Sequence, residues 1–156
     1  MRKLNQGEKI EFIQLSPLFQ NLTKRQLGFV AKSTYQETIE AGCPIIKQGS
    51  MGKEFFVIAD GIARVEIDGK FVKNISQGAY FGEVSLLDGR PMSASILSET
   101  DVHLLCVNKT SFSNLLEQVP GFKDKLILGL CNYIRKSEVM IQKLKSTLDD
   151  SFGQFP

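Results

Sequence analysis

Apolar and polar side chains alternate through the middle of the chain, as they do in half-buried β-strands. The segment IARVEI at residues 62–67 places its apolar residues on one face and its charged residues on the other. Asp68-Gly69 follows, and this pair predicts a two-residue hairpin turn into a strand at residues 70–75. Two more clear strands are predicted at residues 55–59 and 101–107. We expect about seven or eight antiparallel strands, forming a sandwich or jelly roll.

Helical periodicity flanks this β-rich region on both sides. Four helices are predicted, at residues 5–15, 24–32, 109–119 and 122–148. Thr23 is a suitable N-cap for the second helix, and Pro120-Gly121 is expected to end the third. The pattern predicts one mainly β domain over residues 1–156, with N-terminal helices at 1–33, a β-roll at 34–108, C-terminal helices at 109–148 and a tail at 149–156.

The last predicted helix carries an apolar stripe with alternating three- and four-residue steps, if Ser137 is counted as one of its positions. The stripe consists of Ile127, Leu130, Ile134, Ile141, Leu144 and Leu148. Such a stripe is typical of a coiled coil, so a homodimer through this helix is one interpretation. The other interpretation is that the stripe packs on the β-roll of its own chain.

Composition is that of an ordinary globular protein. The chain has 156 residues, 42% hydrophobic and 23% charged, and its net charge of +2 predicts attraction to neither nucleic acid nor membranes. No apolar run approaches the roughly 18 residues that span a bilayer, and the N-terminus lacks the apolar core of a signal peptide, so we expect a cytoplasmic protein. Three widely spaced cysteines fit reduced thiols. One histidine, His103, is too few for a multi-histidine metal site, and we predict no metal site.

The candidate chemistry lies in the segment YFGEVSLLDGRPMSASI at residues 80–96. Gly82-Glu83 opens a short apolar run, residues 84–87, that can form one helical turn. The backbone N–H groups at the start of such a turn are free to bind an anion. Asp88-Gly89 and Pro91 then return the chain to an extended segment. These features predict a small phosphate cradle.

This segment resembles the phosphate-binding cassette of cyclic nucleotide-binding domains, which occur in catabolite-activator-type regulators, in cyclic-nucleotide-dependent kinases with their regulatory subunits, and in cyclic-nucleotide-gated channels. The resemblance rests on FGEVSLL at residues 81–87 and PMSAS at residues 91–95, within a cassette at residues 81–95, and it covers about residues 16–140. Four glycines also follow the family's order: Gly42, Gly49, Gly61 and Gly78. It implies an antiparallel β-roll with N-terminal helices and a long C-terminal helix. Met92 stands where the family has the arginine that pairs with the cyclic phosphate.

The resemblance also implies roles for the residues that open the cassette. Glu83 is expected to accept a hydrogen bond from the ribose 2′-OH, while Gly82 lets the sugar approach closely. The backbone N–H groups of Glu83, Val84 and Ser85 are expected to face the phosphate. A hydroxyl on the C-terminal helix reaches the purine in catabolite-activator-like receptors, and spacing from Pro120 matches that position to Ser137.

Because Met92 replaces the family's arginine, the side chain that would contact the cyclic phosphate is left open. Ser93 could supply a hydroxyl, and Arg90 could reach back across Pro91 to replace the arginine. Otherwise Met92 lines an apolar pocket that favours a less charged ligand or none. Loss of one charge-assisted hydrogen bond costs about 1.5–3 kcal/mol, which weakens binding roughly ten- to hundred-fold.

Our leading prediction is therefore a stand-alone, non-enzymatic sensor. By resemblance it binds a cyclic nucleotide, cyclic AMP rather than cyclic GMP, and rearranges its flanking helices to act on a separate protein partner. The alternative is a degenerate β-roll with little or no nucleotide affinity that serves as a dimeric interaction module. No catalytic residues are predicted, because no nucleophile and base occur at a recognisable spacing.

Overall fold

A computed structural model describes residues 2–153. Within that range the chain forms five α-helices: α1 (Gln6–Gln14), α2 (Lys24–Lys32), α3 (Glu83–Asp88), α4 (Lys109–Gln118) and α5 (Pro120–Phe152). A short 3₁₀ helix, Pro17–Phe19, lies between α1 and α2. The same range contains eight strands: β1 (Tyr35–Ile39), β2 (Pro44–Ile46), β3 (Glu54–Asp60), β4 (Ile62–Ile67), β5 (Lys70–Ser76), β6 (Tyr80–Phe81), β7 (Ser95–Ser98) and β8 (Val102–Asn108).

The strands form two four-stranded sheets, in the orders β1-β8-β3-β6 and β2-β7-β4-β5. Every strand pair is antiparallel, which confirms the predicted antiparallel β-roll with N-terminal helices and a long C-terminal helix. The β4–β5 hairpin turns at Asp68 and Gly69, whose φ angles are 52° and 74°. Positive φ at both residues is the conformation that a tight two-residue hairpin requires.

The two central strands of the first sheet, β3 and β8, are buried on both faces, and this explains the continuous apolar run of β3. Phe55 and Val57 face a core built with the helices, where Phe19, Phe112 and Phe122 also pack. Phe56 and Ile58 face a second core between the two sheets. A strand covered on both sides loses the alternating pattern of a half-exposed strand.

The junction between α4 and α5 differs from the prediction. Pro120 was expected to lie in a break between two helices, but it begins α5, and Val119 alone separates the two helices. Proline suits the first position of a helix because its missing N–H group would have no partner there. The predicted N-cap of α2 is confirmed, since the Thr23 side chain accepts a hydrogen bond from the Gln26 N–H at 3.2 Å.

Helix α5 runs past the body of the domain. Phe122 and Leu126 are buried, Gly129 and Leu130 are half-buried, and nearly all later residues are exposed. These buried residues are not part of the apolar stripe: Ile127, its first residue, is 49% exposed, and only Leu130 of the stripe is half-buried, so the stripe as a whole does not pack on the chain's own β-roll. The helix continues to Phe152, four residues beyond the predicted end, and residues 154–156 of the predicted tail lie outside the described residues. No helix among residues 2–153 is long and apolar enough to cross a membrane.

Candidate functional site

The candidate cassette begins at a tight turn that only glycine fits well. Helix α3 starts at Glu83, as predicted for a turn that opens at Gly82, and Gly82 precedes it with φ of 92°. A Cβ atom at Gly82 would lie 2.5 Å from the backbone oxygen of Glu54 on β3. The absence of a side chain therefore lets the start of α3 lie against the edge of the first sheet.

Glu83 places a half-buried carboxylate at the start of α3. Burial raises its pKa, and its own backbone N–H opposes that rise. Among residues 2–153 no other group donates a hydrogen bond to this carboxylate. Buried polar groups are nearly always hydrogen-bonded, so Glu83 is an acceptor available to a ligand hydroxyl.

Ser85 uses its side chain within the protein. It is 6% exposed, accepts a hydrogen bond of 3.0 Å from the Gly52 N–H and donates to the Arg90 carbonyl. The exposed side chain of Val84, by contrast, points away from both cores. Of these two predicted site residues, only their backbone N–H groups remain candidates for ligand contact.

Met92 joins the cassette to the neighbouring loop through two backbone hydrogen bonds. Its N–H donates to the Ser50 carbonyl and its carbonyl accepts from the Gly49 N–H, both at 2.8 Å. Its side chain packs against the core between the sheets, and its Cε atom lies 3.1 Å from the point where a Cβ atom of Gly52 would be. Met92 therefore lines the interior of the roll with apolar surface.

Arg90 and Ser93 are both exposed. The Arg90 N–H donates to the Asp88 side chain at 2.9 Å, but its guanidinium makes no hydrogen bond or ion pair with any residue of the described range 2–153. The structure does not bring this guanidinium to Glu83. It leaves a long, unpaired cation at the edge of the cassette.

Ser137 lies on α5 beyond the docked part of that helix. Its hydroxyl donates to the Tyr133 carbonyl at 2.9 Å, so it serves the helix itself. Among residues 2–153 no hydrogen bond joins the Ser137 side chain to a cassette residue.

The sequence did not predict a role for three residues in or around the cassette. Gly52 and Ser95 tie the cassette to the loop before β3: Gly52 through Ser85, and Ser95 by accepting a 2.9 Å hydrogen bond from the Gln48 N–H. Tyr80 contacts α5 through its hydroxyl. Ser95 and Tyr80 lie within or beside the cassette pattern, which was their only sequence signal, and Gly52 had none.

Two surface cavities lie elsewhere. One, of about 620 Å³, is lined by Arg2, Lys3, Lys9 and residues 34–38, and the other, of about 580 Å³, includes Asp60, Asp101 and His103. His103 Nδ1 lies 3.0 Å from the Thr38 hydroxyl. Among residues 2–153 no group of three potential ligands could hold a metal ion.

Comparison with known families gives the cassette its context. The profile described as "Cyclic nucleotide-binding domain" matches residues 36–119, which include the whole cassette. The chain belongs to this family. The cyclic nucleotide-binding fold accounts for the two sheets, the flanking helices and the position of α3 between β6 and β7.

Individual relatives support the same assignment. The cAMP-dependent protein kinase regulatory subunit of Colletotrichum orbiculare is 36% identical over 113 residues, 71% of this chain and 29% of that protein. The crystal structure of Thermus thermophilus catabolite activator protein has a TM-score of 0.77 at 26% identity, over 83% of this chain and 63% of that chain. The structure of cAMP-bound PfPKA-R has a TM-score of 0.75 at 27% identity, over 83% and 45% of the two chains. The chain spans 29% to 33% of three kinase regulatory subunits.

Proposed function

We propose that this chain is a regulatory domain that binds a cyclic nucleotide, with cyclic AMP preferred to cyclic GMP. The observation that carries the proposal is the half-buried Glu83 carboxylate, which lacks a donor from any other described residue. A ribose hydroxyl would supply that donor. The kinase regulatory subunits and cAMP-bound PfPKA-R, by their names, share this ligand class.

The affinity of this site is expected to be modest. Met92 offers the cyclic phosphate no charge, and the Ser85 hydroxyl is engaged with Gly52 and Arg90. Relative to the same domain with an arginine at residue 92, binding should be weaker by roughly ten- to hundred-fold. Arg90 is the one unpaired cation of the cassette within residues 2–153, and we propose that it supplies the remaining attraction for the phosphate.

We further propose that the output of binding is a movement of α5 that changes contact with a separate protein. The helix is docked on the roll only as far as Leu130, and the part beyond it is exposed. An element held by so few contacts changes position at low cost in free energy.

A second copy of the chain is the partner that the α5 stripe fits best. In a heptad register the a positions are Ile127, Ile134, Ile141 and Leu148, and the d positions are Leu130, Ser137 and Leu144. Isoleucine at a with leucine at d favours two parallel strands. Ile141 and Leu144 are 53% and 59% exposed in the single chain, so a partner helix would bury them.

The runner-up function is an interaction module without nucleotide affinity. One observation favours it: Ser85 and Met92 fill the space beside Gly52 with the protein's own side chains. In either case we propose a non-enzymatic, cytoplasmic protein, since exposed free thiols at Cys43 and Cys131 suit a reducing compartment.

Calorimetric titration of the purified protein with cyclic AMP and cyclic GMP, each up to millimolar concentration, tests the proposal. We expect saturable heat with cyclic AMP and a loss of roughly ten-fold or more in affinity for Glu83→Ala. Glu117→Ala, which removes an exposed carboxylate from α4, is the control and should bind as the wild type does. Absence of heat with both nucleotides would leave the interaction module as the function.

A further inference from the structure

A cavity follows the outer strand of the first sheet. Strand β1 pairs with β8 on one side and ends the order of its sheet on the other. The cavity, of about 620 Å³, is lined by the consecutive residues 34–38 and by Arg2, Lys3 and Lys9. Successive residues of a strand point to opposite faces, so a cavity lined by all of residues 34–38 runs along the edge of β1. An antiparallel strand also directs the backbone groups of alternate residues to each of its edges.

The wall of the cavity that faces β1 is positively charged. Arg2 and Lys3 precede α1, and Lys9 lies within it. Arg2 forms an ion pair with a carboxylate on α1, whereas neither lysine forms an ion pair with any residue of the range 2–153. Lys9 Nζ donates to the Thr34 carbonyl at 2.8 Å, which holds its ammonium beside the start of β1. Glu37 is the one carboxylate among the described residues that line the cavity, so the lining is basic.

Gln36, on β1, contributes a donor that has no acceptor. Its Oε1 atom accepts a hydrogen bond from the Leu4 N–H at 2.7 Å, which fixes the orientation of the amide. The Nε2 atom of the same amide is buried and has no hydrogen-bond partner among residues 2–153. Buried amide donors are nearly always hydrogen-bonded. Because Gln36 lines the cavity, an oxygen atom of a ligand placed there would supply the missing acceptor.

The second sheet shows how an outer strand is protected from pairing. Strand β5 ends the order of that sheet and carries Lys70 and Lys73 in the strand itself. Lysines on an edge strand discourage pairing with another chain. Strand β1, with the sequence YQETI, contains no lysine, arginine or proline. Its cations lie across the cavity instead, where they attract a negatively charged chain to the edge.

We propose that the edge of β1 binds an extended, acidic peptide segment of a partner protein, which adds a strand to the first sheet. Main-chain hydrogen bonds to β1 hold the segment, and its Asp or Glu side chains face Lys3 and Lys9. The five-residue strand is about 17 Å long and pairs with roughly five peptide residues. Pockets for small molecules are lined mainly by apolar side chains, so this polar, basic lining favours a peptide. The inference does not depend on nucleotide binding at the cassette.

Fluorescence anisotropy with labelled synthetic peptides tests the proposal. A peptide of about eight residues that alternates Glu and Val should bind saturably, and the same peptide with Lys in place of Glu should bind at least about ten-fold more weakly. A third peptide keeps the Glu residues but is N-methylated at its central amides, so it should also lose about ten-fold or more in affinity. Absence of binding by the first peptide overturns the proposal. Equal binding of the N-methylated peptide overturns strand addition, because charge alone is then recognised.

Variants of the protein locate the charge and the donor. Lys3→Glu should weaken binding of the Glu-Val peptide by about five-fold or more at low salt, and by less near 1 M salt, where the screening length is about 3 Å. Lys73→Glu, an exposed lysine on the other outer strand, is the matched control and should bind as the wild type does. Gln36→Glu keeps the acceptor for the Leu4 N–H but loses the donor, so affinity should fall by about ten-fold. Equal effects of Lys3→Glu and Lys73→Glu would overturn the site, because net charge alone would then govern binding.

Hydrogen exchange gives the position of the bound peptide directly. The Glu-Val peptide should slow amide exchange by about ten-fold or more within residues 35–39, because new hydrogen bonds protect the outer edge of β1. Exchange in β5, at residues 70–76, should be unchanged. Protection of β5 instead of β1, or of neither strand, would overturn the assignment of the peptide to this edge.

Discussion

The N–H of Gly52 donates a hydrogen bond of 3.0 Å to the hydroxyl of Ser85. The two residues are 33 positions apart in sequence, and the same hydroxyl donates to the Arg90 carbonyl. One buried side chain thus connects the loop before β3, helix α3 and the segment that leads to Met92. The shape of the cassette depends on this three-way contact.

Ser85→Ala should therefore lower the free energy of unfolding by about 1–3 kcal/mol, since it leaves the Gly52 N–H and the Arg90 carbonyl without their partner. Urea unfolding followed by circular dichroism measures the change. Ser93→Ala is the control, because Ser93 lies in the same cassette but is exposed. Equal stability of the two variants would show that the contact contributes little.

Met92→Arg is expected to create the phosphate contact that the resemblance associates with this family. Cyclic AMP affinity should rise by roughly ten- to hundred-fold, because a guanidinium adds a charge-assisted hydrogen bond to the phosphate. The ligand-free variant should also be less stable, since Met92 packs against the core between the sheets. Calorimetric titration measures the affinity.

Met92→Leu is the matched control for this variant. It keeps an apolar side chain of similar volume, so its affinity should equal that of the wild type. If Met92→Arg folds and binds no more tightly than Met92→Leu, residue 92 does not face the phosphate, and the assignment of the site is wrong.

Glu83→Gln should make the ligand-free protein more stable at pH 7. Burial raises the pKa of Glu83 above its ordinary value of 4.5, so the folded state binds this proton more tightly than the unfolded state does. The stabilisation from protonation is complete below pH 4.5 and is lost as pH rises through the folded-state pKa. At neutral pH the buried charge is therefore unfavourable, and the neutral amide removes it.

The higher stability of Glu83→Gln should disappear near pH 4, where the wild-type Glu83 carboxyl is also neutral. Thermal unfolding at both pH values measures it, with Glu117→Gln as the exposed control. The same substitution should weaken nucleotide binding, because an amide is a poorer acceptor than a carboxylate. A variant that is less stable than wild type at pH 7 would mean that Glu83 has a favourable partner in the protein.

Features that depend on neighbouring residues, such as helix caps and turns, could be predicted from the sequence. Thr23 caps α2 through a residue three positions away, and Asp68-Gly69 turns between adjacent strands, so both depend on neighbouring residues alone. The cassette helix was found because Gly82 and Glu83 determine its start within one residue.

Contacts between segments that are far apart in sequence could not be predicted in this way. The residues next to Ser85 in sequence do not indicate that its hydroxyl accepts a hydrogen bond from the Gly52 N–H. The residues next to Gly129 likewise do not indicate that the Tyr80 hydroxyl occupies the space where a side chain at residue 129 would lie. Pro120 was misplaced because a proline can follow one helix or begin the next, and only the packing of α5 decides between them. Caps and turns formed by neighbouring residues were therefore predictable from the sequence, but hydrogen bonds between distant segments were not.

The exposed stripe on α5 leads to a prediction about assembly. Ile141→Glu should reduce or abolish dimer formation, because it places a charge at an a position of the proposed seam. Val139→Glu is the control, since Val139 has nearly the same exposure, 56% against 53%, but lies at an f position on the opposite side of the helix. Light scattering during size-exclusion chromatography measures the mass. Equal effects of the two variants would indicate general surface hydrophobicity rather than a coiled-coil seam.

The direction of the two helices can be tested separately. In a parallel, in-register dimer the d position of one helix faces the same d position of its partner, so Leu144→Cys should form an intermolecular disulfide readily under mild oxidation. In an antiparallel pair residue 144 would face an a position instead, and the cross-link would be slow. The experiment needs Cys43→Ser and Cys131→Ser to remove the exposed native thiols. Rapid cross-linking of Val139→Cys to the same extent would contradict the proposed register, because an f position faces solvent in either orientation.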